Sequence, residues 1–296
     1  MTPLESPGLQ RAAVGLPFLW LLVFAFLPLL LIVKISFSQM QLGVPPYTPL
    51  LGVNADGETA WQGGTANYAF IASDSLYAKA YLNSVRIAAI TTLLALLIAF
   101  PMAYAIVRAP RRWQTSLLIL VLLPFWTSFL IRVYAWVGLL RPNGLINSTL
   151  EALGVIDEPL KLLNTEFAVF LGMVFCYLPY MLLPLYARLE KLDVRLTEAA
   201  LDLGASPTQA FWRITVPLSW PGIVAGCLLV FVPAVGEFVI PELLSGADVL
   251  MIGKVMWSEF FTNRDWPLSA AVATVLLLVL AVPVVVFQNR SSRSAA

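Results

Sequence analysis

Glu198 to Pro217 reads EAALDLGASPTQAFWRITVP, a polar, proline-punctuated stretch lying between two long apolar runs. Its local chemistry predicts two short helices with a turn. Glu198 to Leu203 are good helix formers, and Asp193 is placed to cap the start. Gly204 suits the left-handed residue that ends such a helix. Ser206-Pro207-Thr208-Gln209 then begins afresh, with Ser as N-cap, Pro at the first helical position and Gln completing a capping box. Pro217 and Pro221 mark entry into the next apolar run. A plain connecting loop needs none of this, whereas a rigid, angled helix pair suits docking. The alternative is an interfacial helix-turn-helix that merely closes a loop.

Around this segment the chain is 59% hydrophobic and only 12% charged over its 296 residues. Mean hydropathy is +0.84, and several apolar runs exceed the ~18 residues that mark a membrane span. A water-soluble fold of this size cannot hide so much apolar surface. The runs are continuous and do not alternate, so the class is an all-α integral membrane protein rather than a barrel. A net charge of +1 carries no electrostatic footprint for nucleic acid. The absence of His removes the commonest metal ligand and general base. No metal-ligand cluster and no nucleophile–base pair stands out, so an intramembrane enzyme is a poor reading. Cys176 and Cys227 fall inside apolar runs, as buried small hydrophobes and not a disulfide framework.

Six segments are long and apolar enough to span a bilayer: roughly 15–36, 81–107, 114–138, 166–187, 218–240 and 268–288. The first is too long for a signal-peptide core and lacks a small-residue cleavage site, so it is read as a retained helix. Orientation follows from lysine and arginine. With the N-terminus inside, Arg11, Arg108, Arg111, Arg112, Arg188, Lys191, Arg195, Arg213, Arg290 and Arg293 are cytoplasmic. Only Lys79, Arg141, Lys161, Lys254 and Arg264 lie outside. Lys34, Arg86 and Arg132 sit near outer helix ends, placed to snorkel. The expected organisation is a cytoplasmic tail 1–14, one membrane domain 15–288, and a cytoplasmic tail 289–296. The segment 188–217 joins the fourth and fifth spans on the inner side.

The outer segments carry most of the acids: Asp56, Glu58, Asp74, Glu151, Asp157, Glu158, Glu166, Glu237, Glu242, Asp248, Glu259 and Asp265. They form either an acidic mouth that attracts a polycation or an ordinary solvated surface. Segment 37–80 reads as irregular structure with a short helix, and 139–165 opens on the turn Arg141-Pro142-Asn143-Gly144. The sequon at Asn147 is read as accidental. Gly246 to Lys254, GADVLMIGK, imitates a phosphate loop but has the wrong glycine spacing and ends in Val255, so the chain has no nucleotide site of its own.

Glu237 stands apart because it lies within the fifth span, in PAVGEFVIP, between Pro233 and Pro241. These prolines and Gly236 predict a kink. Ionisable groups within spans face a cavity or a partner. Glu237 is therefore either a contact for an ammonium group or half of an ion pair with Arg86 or Arg132. Glu242 follows at the exit of that span. Trp126 and Tyr134 share a helical face with Leu130, Val133 and Val137. The two aromatics offer faces to a cation in a common cavity, or anchor the span at the interface. Gly222 and Gly226, four apart in PGIVAG, permit close helix packing.

The segment quoted first resembles the signature loop of permease subunits of bacterial ATP-binding-cassette importers. Its spacing is E-A-A, three residues, Gly204, nine residues, Ile214, two residues, Pro217. Val216 replaces the family's usual Leu. Pro124 to Trp136 (PFWTSFLIRVYAW), Pro233 to Gly246 (PAVGEFVIPELLSG) and Trp257 to Ala273 (WSEFFTNRDWPLSAAVA) look like the polyamine branch, the putrescine and spermidine importers. The resemblance implies a type I importer permease fold in the bacterial inner membrane, with a cytoplasmic coupling helix docked on an ATPase. It implies two ATP-binding-cassette ATPase subunits carrying Mg-ATP, a second homologous permease, and a periplasmic polyamine-binding protein. On that reading the coupling residues are Glu198, Ala199, Ala200, Asp202, Gly204, Ala205, Ser206 and Pro207. Small Ala199 and Ala200 permit close approach, Glu198 offers a polar contact, and Gly204 fixes the angle. One alternative is an ABC importer permease for another small solute, such as an inorganic anion, which the acidic outer face argues against. The other is an ion-coupled secondary transporter, which predicts internal inverted repeats or intramembrane acid relays that do not stand out in the sequence.

Overall fold

Backbone groups withdrawn from water must pair within their own segment, and in this chain helices meet that demand. The computed structural model describes residues 7–53, 59–246 and 249–293, with side chains described for 13–52, 61–246 and 249–281. Three helices among these are long and apolar enough to cross a membrane: Ala13–Ser36, Ser75–Arg108 and Glu166–Leu189. The last has 24 residues, about 36 Å at the α-helical rise, which exceeds the ~30 Å of bilayer hydrocarbon. Thr165 starts it by accepting the Ala168 N–H at 3.2 Å. Asp74 starts Ser75–Arg108 by accepting the Leu76 N–H at 2.8 Å.

One expected continuous span, 114–138, is a broken pair, and a second bent pair joins the expected loop 188–217 to the expected span 218–240. Arg111–Trp126 and Phe129–Ala152 meet at 88°, and Pro207–Leu218 and Trp220–Val235 meet at 62°. The first break follows Pro124, where a short 3₁₀ turn, Leu123–Trp126, ends with Thr127 Oγ1 donating to Pro124 O at 2.6 Å. Thr127 and Ser128 are extended, which re-aims the chain. The second break falls at Ser219, whose Oγ donates back to Thr215 O at 2.6 Å. Helix Trp220–Val235 runs through Pro233 and stops at Gly236. The backbone therefore breaks after Pro233, at Gly236–Phe238, before a new helix Val239–Leu244.

The described residues form two compact units, Met1–Ala78 with Val255–Ala296, and Lys79–Lys254. In the first, the C-terminal helix Trp266–Arg293 packs on Leu27–Ser36 and Ala66–Ser73. Asn67 Nδ2 donates to the carbonyls of Ser36 and Ser38 at 2.9 Å each, fixing the end of the first helix. The one sheet among the described residues is the short antiparallel pair Leu51–Val53 with Thr59–Trp61, and Met40 and Tyr47 form an isolated bridge. The short helix expected in 37–80 is Ala66–Ser73.

In the second unit, Glu166–Leu189 is the centre. More than half of its apolar stretch is buried, against none for Ala13–Ser36. Trp220–Val235 lies along it, and the glycine pair makes that approach possible. A Cβ on Gly222 would sit 2.8 Å from Arg188 Cβ, and one on Gly226 would sit 2.7 Å from Met181 Sδ. Asn147 is buried, and its side chain holds the loop that follows. Nδ2 donates to Leu160 O at 3.0 Å and the amide oxygen accepts Leu160 N–H at 3.0 Å. A buried, saturated amide of this kind serves the fold.

Candidate functional site

Glu237 occupies the gap between two helices and starts the second of them itself. Its Oε1 accepts the backbone N–H groups of Phe238 at 3.0 Å, Val239 at 2.9 Å and Ile240 at 3.4 Å. These are the donors a helix start leaves unsatisfied. Oε2 accepts the Tyr177 hydroxyl at 2.5 Å. A carboxylate offers about four lone-pair positions, so Oε2 keeps one for a further donor. Gly253 seals the gap from behind, because a Cβ there would collide with the carbonyl oxygens of Gly236 and Glu237.

Neither expected ion pair forms. Arg86 is bound to Glu166 through Nη2, with both side chains partly exposed. Arg132 donates from Nη2 to Thr127 O at 3.3 Å and lies over the Phe125 ring at 4.3 Å. It does not snorkel; it is buried, and its Nε has no hydrogen-bond partner among the described residues. The 88° break carries it inward.

The aromatic residues beside Glu237 are not the ones expected. Trp126 and Tyr134 do not share a helical face, since Trp126 lies in the 3₁₀ turn before the bend and helix resumes only at Phe129. Both project from this chain, 80% and 57% exposed, with no common cavity. Tyr177 and Tyr180 take the place instead, three apart on Glu166–Leu189, with ring centroids 6.1 Å from each other. Tyr180 in turn meets Phe125 edge-on at 6.2 Å. The carboxylate, two phenols, a phenyl ring and the Arg132 guanidinium thus form one contiguous row. The sequence signal for it was the i, i+3 spacing of Tyr177 and Tyr180; no rule tied that pair to Glu237.

Glu242 is committed nearby. It pairs with Lys254 at 3.0 Å, and the same ammonium donates to Gly246 O at 3.0 Å. This clamp accounts for the lysine of the false phosphate loop. Two other outer acids, Glu259 and Asp265, serve locally as well. Glu259 accepts from Tyr77 Oη at 3.1 Å and from Asn263 Nδ2 at 2.8 Å. Asp265 caps the last helix by accepting Leu268 N–H at 2.9 Å. Burial pushes the Asp265 carboxyl above the ordinary carboxylate range, the charge of Glu259 adds to this, and the Leu268 bond opposes it. Asp56, Glu58 and Asp248 lie outside the described residues, as do the side chains of Arg11, Arg290 and Arg293.

The opening segment has the geometry its residues dictate. Asp193 Oδ1 accepts Arg195 N–H at 3.0 Å at the start of helix Val194–Asp202. Gly204 takes φ +85°. Ser206 Oγ accepts Gln209 N–H at 3.2 Å while Gln209 Oε1 accepts Ser206 N–H at 3.0 Å, a complete capping box with Pro207 at the helix start. Glu198, Ala199, Asp202, Ser206 and Pro207 are exposed, while Ala200 and Ala205 are half-buried. Leu203 projects with 89% of its surface free, beside exposed Val194 and Leu201. Val194 and Leu201 also line a pocket with Tyr104, Val107 and Arg108, so Leu203 is the side chain left most free.

From this exposed pair, contacts run inward. Phe211 lies edge-on to Phe100 at 5.7 Å and to Tyr104 at 5.3 Å. Arg188 Nε donates to Leu218 O at 2.9 Å, tying the central helix to the bend before Trp220. Glu198 and Thr197 line a pocket of about 750 Å³ with Arg108, Arg111 and Glu190. Phe211 and Arg188 were not expected from sequence, because their partners lie far along the chain.

Residues 11–295 match the family described as binding-protein-dependent transport system inner membrane component. The chain is 40% identical over 280 residues to the spermidine/putrescine transport system permease protein PotB of Haemophilus influenzae, covering 94% of this chain and 92% of that one. It is 39% identical over 280 residues to PotB of Escherichia coli, covering 92% and 94%. Among solved structures it is similar to a bacterial alginate ABC transporter in complex with alginate pentasaccharide-bound periplasmic protein, with a TM-score of 0.70 and 17% identity over 99% of this chain and 96% of that one. That likeness concerns the fold, and it extends across both broken helices and the capped segment between them. The chain belongs to the binding-protein-dependent transport system inner membrane component family.

Proposed function

We propose that this chain is the permease subunit of an ATP-driven inner-membrane importer of polyamines, putrescine or spermidine or both. The observation that carries the reading is its 40% identity, over 94% of its length, to a spermidine/putrescine permease. Six spans are proposed: the three long helices, the bent pair Arg111–Trp126 with Phe129–Ala152 counted as one, Trp220–Val235, and the last helix. The lysine and arginine distribution supports placing both termini in the cytoplasm.

The capped pair 194–209 is assigned as the docking element for an ATPase, on its exposure and on the projecting Leu203. Two ATPase subunits holding Mg-ATP, a second homologous permease and a periplasmic polyamine-binding protein complete the assembly. Closure of the ATPases would push on Val194–Asp202, and Phe211 and Arg188 would pass the movement to the long helices. No covalent chemistry is assigned to this chain. Glu237 is the proposed contact for a cargo ammonium, through the free position on Oε2, with Tyr177 and Tyr180 beside it. Trp126 and Tyr134 project from this chain and would face the sister permease or lipid; Glu242 serves the Lys254 clamp.

The test is uptake of labelled putrescine and spermidine into proteoliposomes holding the complete assembly, with competition by other amines and by inorganic anions. Uptake is expected to need both ATP and the binding protein. Transport that survives omission of the ATPase, or competition by anions and not amines, would overturn the reading.

A further inference from the structure

A guanidinium buried in a span is costly and is retained where it has a task. Arg132 is buried, yet its Nε is left without a hydrogen-bond partner among the described residues, and the bond from Nη2 to Thr127 O is long at 3.3 Å. What holds its charge is the face of Phe125, 4.3 Å away. Desolvated contacts of this kind attract any cation of suitable size, whether it belongs to the protein or to a ligand. The Phe125 ring belongs to the row that continues through Tyr180 and Tyr177 to Glu237. Cys176 lies within electrostatic reach of both the guanidinium and the carboxylate, which places the two charges in one neighbourhood.

We propose that Arg132 is a tethered cation that occupies the aromatic end of the Glu237 row when no cargo is present and is displaced by an arriving ammonium group. The inference rests on the polyamine reading for the identity of the cargo, though not for the plug itself. It has two consequences. The resident cation lowers the apparent affinity for cargo by the fraction of time it holds the seat. It also repels stray cations while the row is empty, so an aromatic and acidic lining does not become a leak. An unsatisfied Nε suits this task, since a guanidinium anchored by a full set of bonds would not leave.

The test uses the complete assembly in proteoliposomes, comparing wild type with Arg132→Gln, Arg132→Lys and Phe125→Leu. Two quantities are read: KM and kcat for spermidine uptake with ATP, and passive entry of methylammonium without ATP. Arg132→Gln is expected to lower KM about fivefold or more, by releasing the occupied seat, and to admit methylammonium that wild type excludes. Arg132→Lys keeps a tethered charge and should hold the leak closed. Phe125→Leu removes the seat and not the plug, and is expected to leak as well, so a poorly assembled Arg132→Gln does not end the test. An unchanged or raised KM with no leak in either Arg132→Gln or Phe125→Leu overturns the plug while leaving the polyamine reading in place. Wild type that carries no polyamine, with a variant that leaks methylammonium, sinks the cargo assignment and supports the plug.

Discussion

Tyr177 and Glu237, separated by 60 positions, are joined by a hydroxyl–carboxylate bond of 2.5 Å. That bond ties the central helix to the break that follows Trp220–Val235. Oε1 of the same carboxylate holds three backbone N–H groups in place. The charge is shared by both oxygens, while the backbone donors need only an oxygen at the Oε1 position, so a substitution can remove the charge and keep that acceptor.

Glu237→Gln keeps an amide oxygen for the backbone donors and removes the charge. Assembly with the ATPase is expected to persist, while cargo-stimulated ATP hydrolysis falls about tenfold or more, the scale of a lost charge-assisted bond. Hydrolysis measured with and without polyamine-loaded binding protein decides it. Unchanged stimulation rejects any cargo role for this carboxylate.

Gly253→Ala tests the other side of the break. Its added Cβ would lie 2.6 Å from Glu237 O, a backbone atom that has no rotamer to yield. Overpacking of this kind costs about 1–3 kcal/mol. The thermal midpoint in detergent should drop, and transport should fall with it. Gly138→Ala, where an added Cβ meets no atom within 4 Å, is the control and should be close to silent.

These two residues also mark how far sequence reasoning reaches. Helices and caps were legible because they depend on neighbours within four residues. Asp193, Gly204 and the Ser206–Gln209 box all stand where their chemistry demands. The kink near Glu237 was legible too, from Gly236 and two prolines. What was not legible is its cause, because helix continues through Pro233 and gives way three residues on, where Glu237 replaces helical bonds with its own carboxylate. The break at Thr127 was hidden for a like reason. Hydropathy runs smoothly across Pro124 to Trp136, while the backbone turns through 88°. Once that turn is missed, Trp126 and Tyr134 are assigned to one face, and Arg132 is sent to the interface. The Tyr177–Glu237 contact joins residues on different helices, and no local pattern encodes it.

Leu203→Asp tests docking. Leu203 is 89% exposed and follows the capped helix, so a carboxylate there leaves the fold of this chain unchanged. If this face seats the ATPase, co-purification of the ATPase should fall sharply and hydrolysis should lose its response to cargo. Ser206→Ala, which removes the N-cap acceptor, is expected to destabilise the second short helix by about 1 kcal/mol and to weaken coupling more mildly. Full ATPase retention in Leu203→Asp would remove this face from the interface.

Asp265 makes stability depend on pH in a direction opposite to most acids. Burial raises its carboxyl in the folded chain, so the native state binds its proton more tightly than the unfolded state. The stabilisation is therefore greatest below the ordinary carboxylate value and declines as pH rises through the raised folded value. Asp265→Asn retains an oxygen for the Leu268 N–H and removes the titration. Melting curves across the carboxylate range should show wild type gaining on the variant as pH falls. A constant difference between the two would refute the assignment.

Topology decides whether the docking proposal is physically possible at all. On a background with Cys176→Ala and Cys227→Ala, Thr208→Cys places one exposed thiol beside the capping box and Leu42→Cys places one on a side chain that is 99% exposed. In right-side-out vesicles an impermeant maleimide should label Leu42→Cys and leave Thr208→Cys untouched until the membrane is opened. Inside-out vesicles should give the reverse. The lysine and arginine count supports this orientation without entailing it, because charges far from span ends weigh little. Labelling of Thr208→Cys from the outer face would put the capped pair on the side without ATP, and no ATPase could then drive the long helices through Phe211 and Arg188.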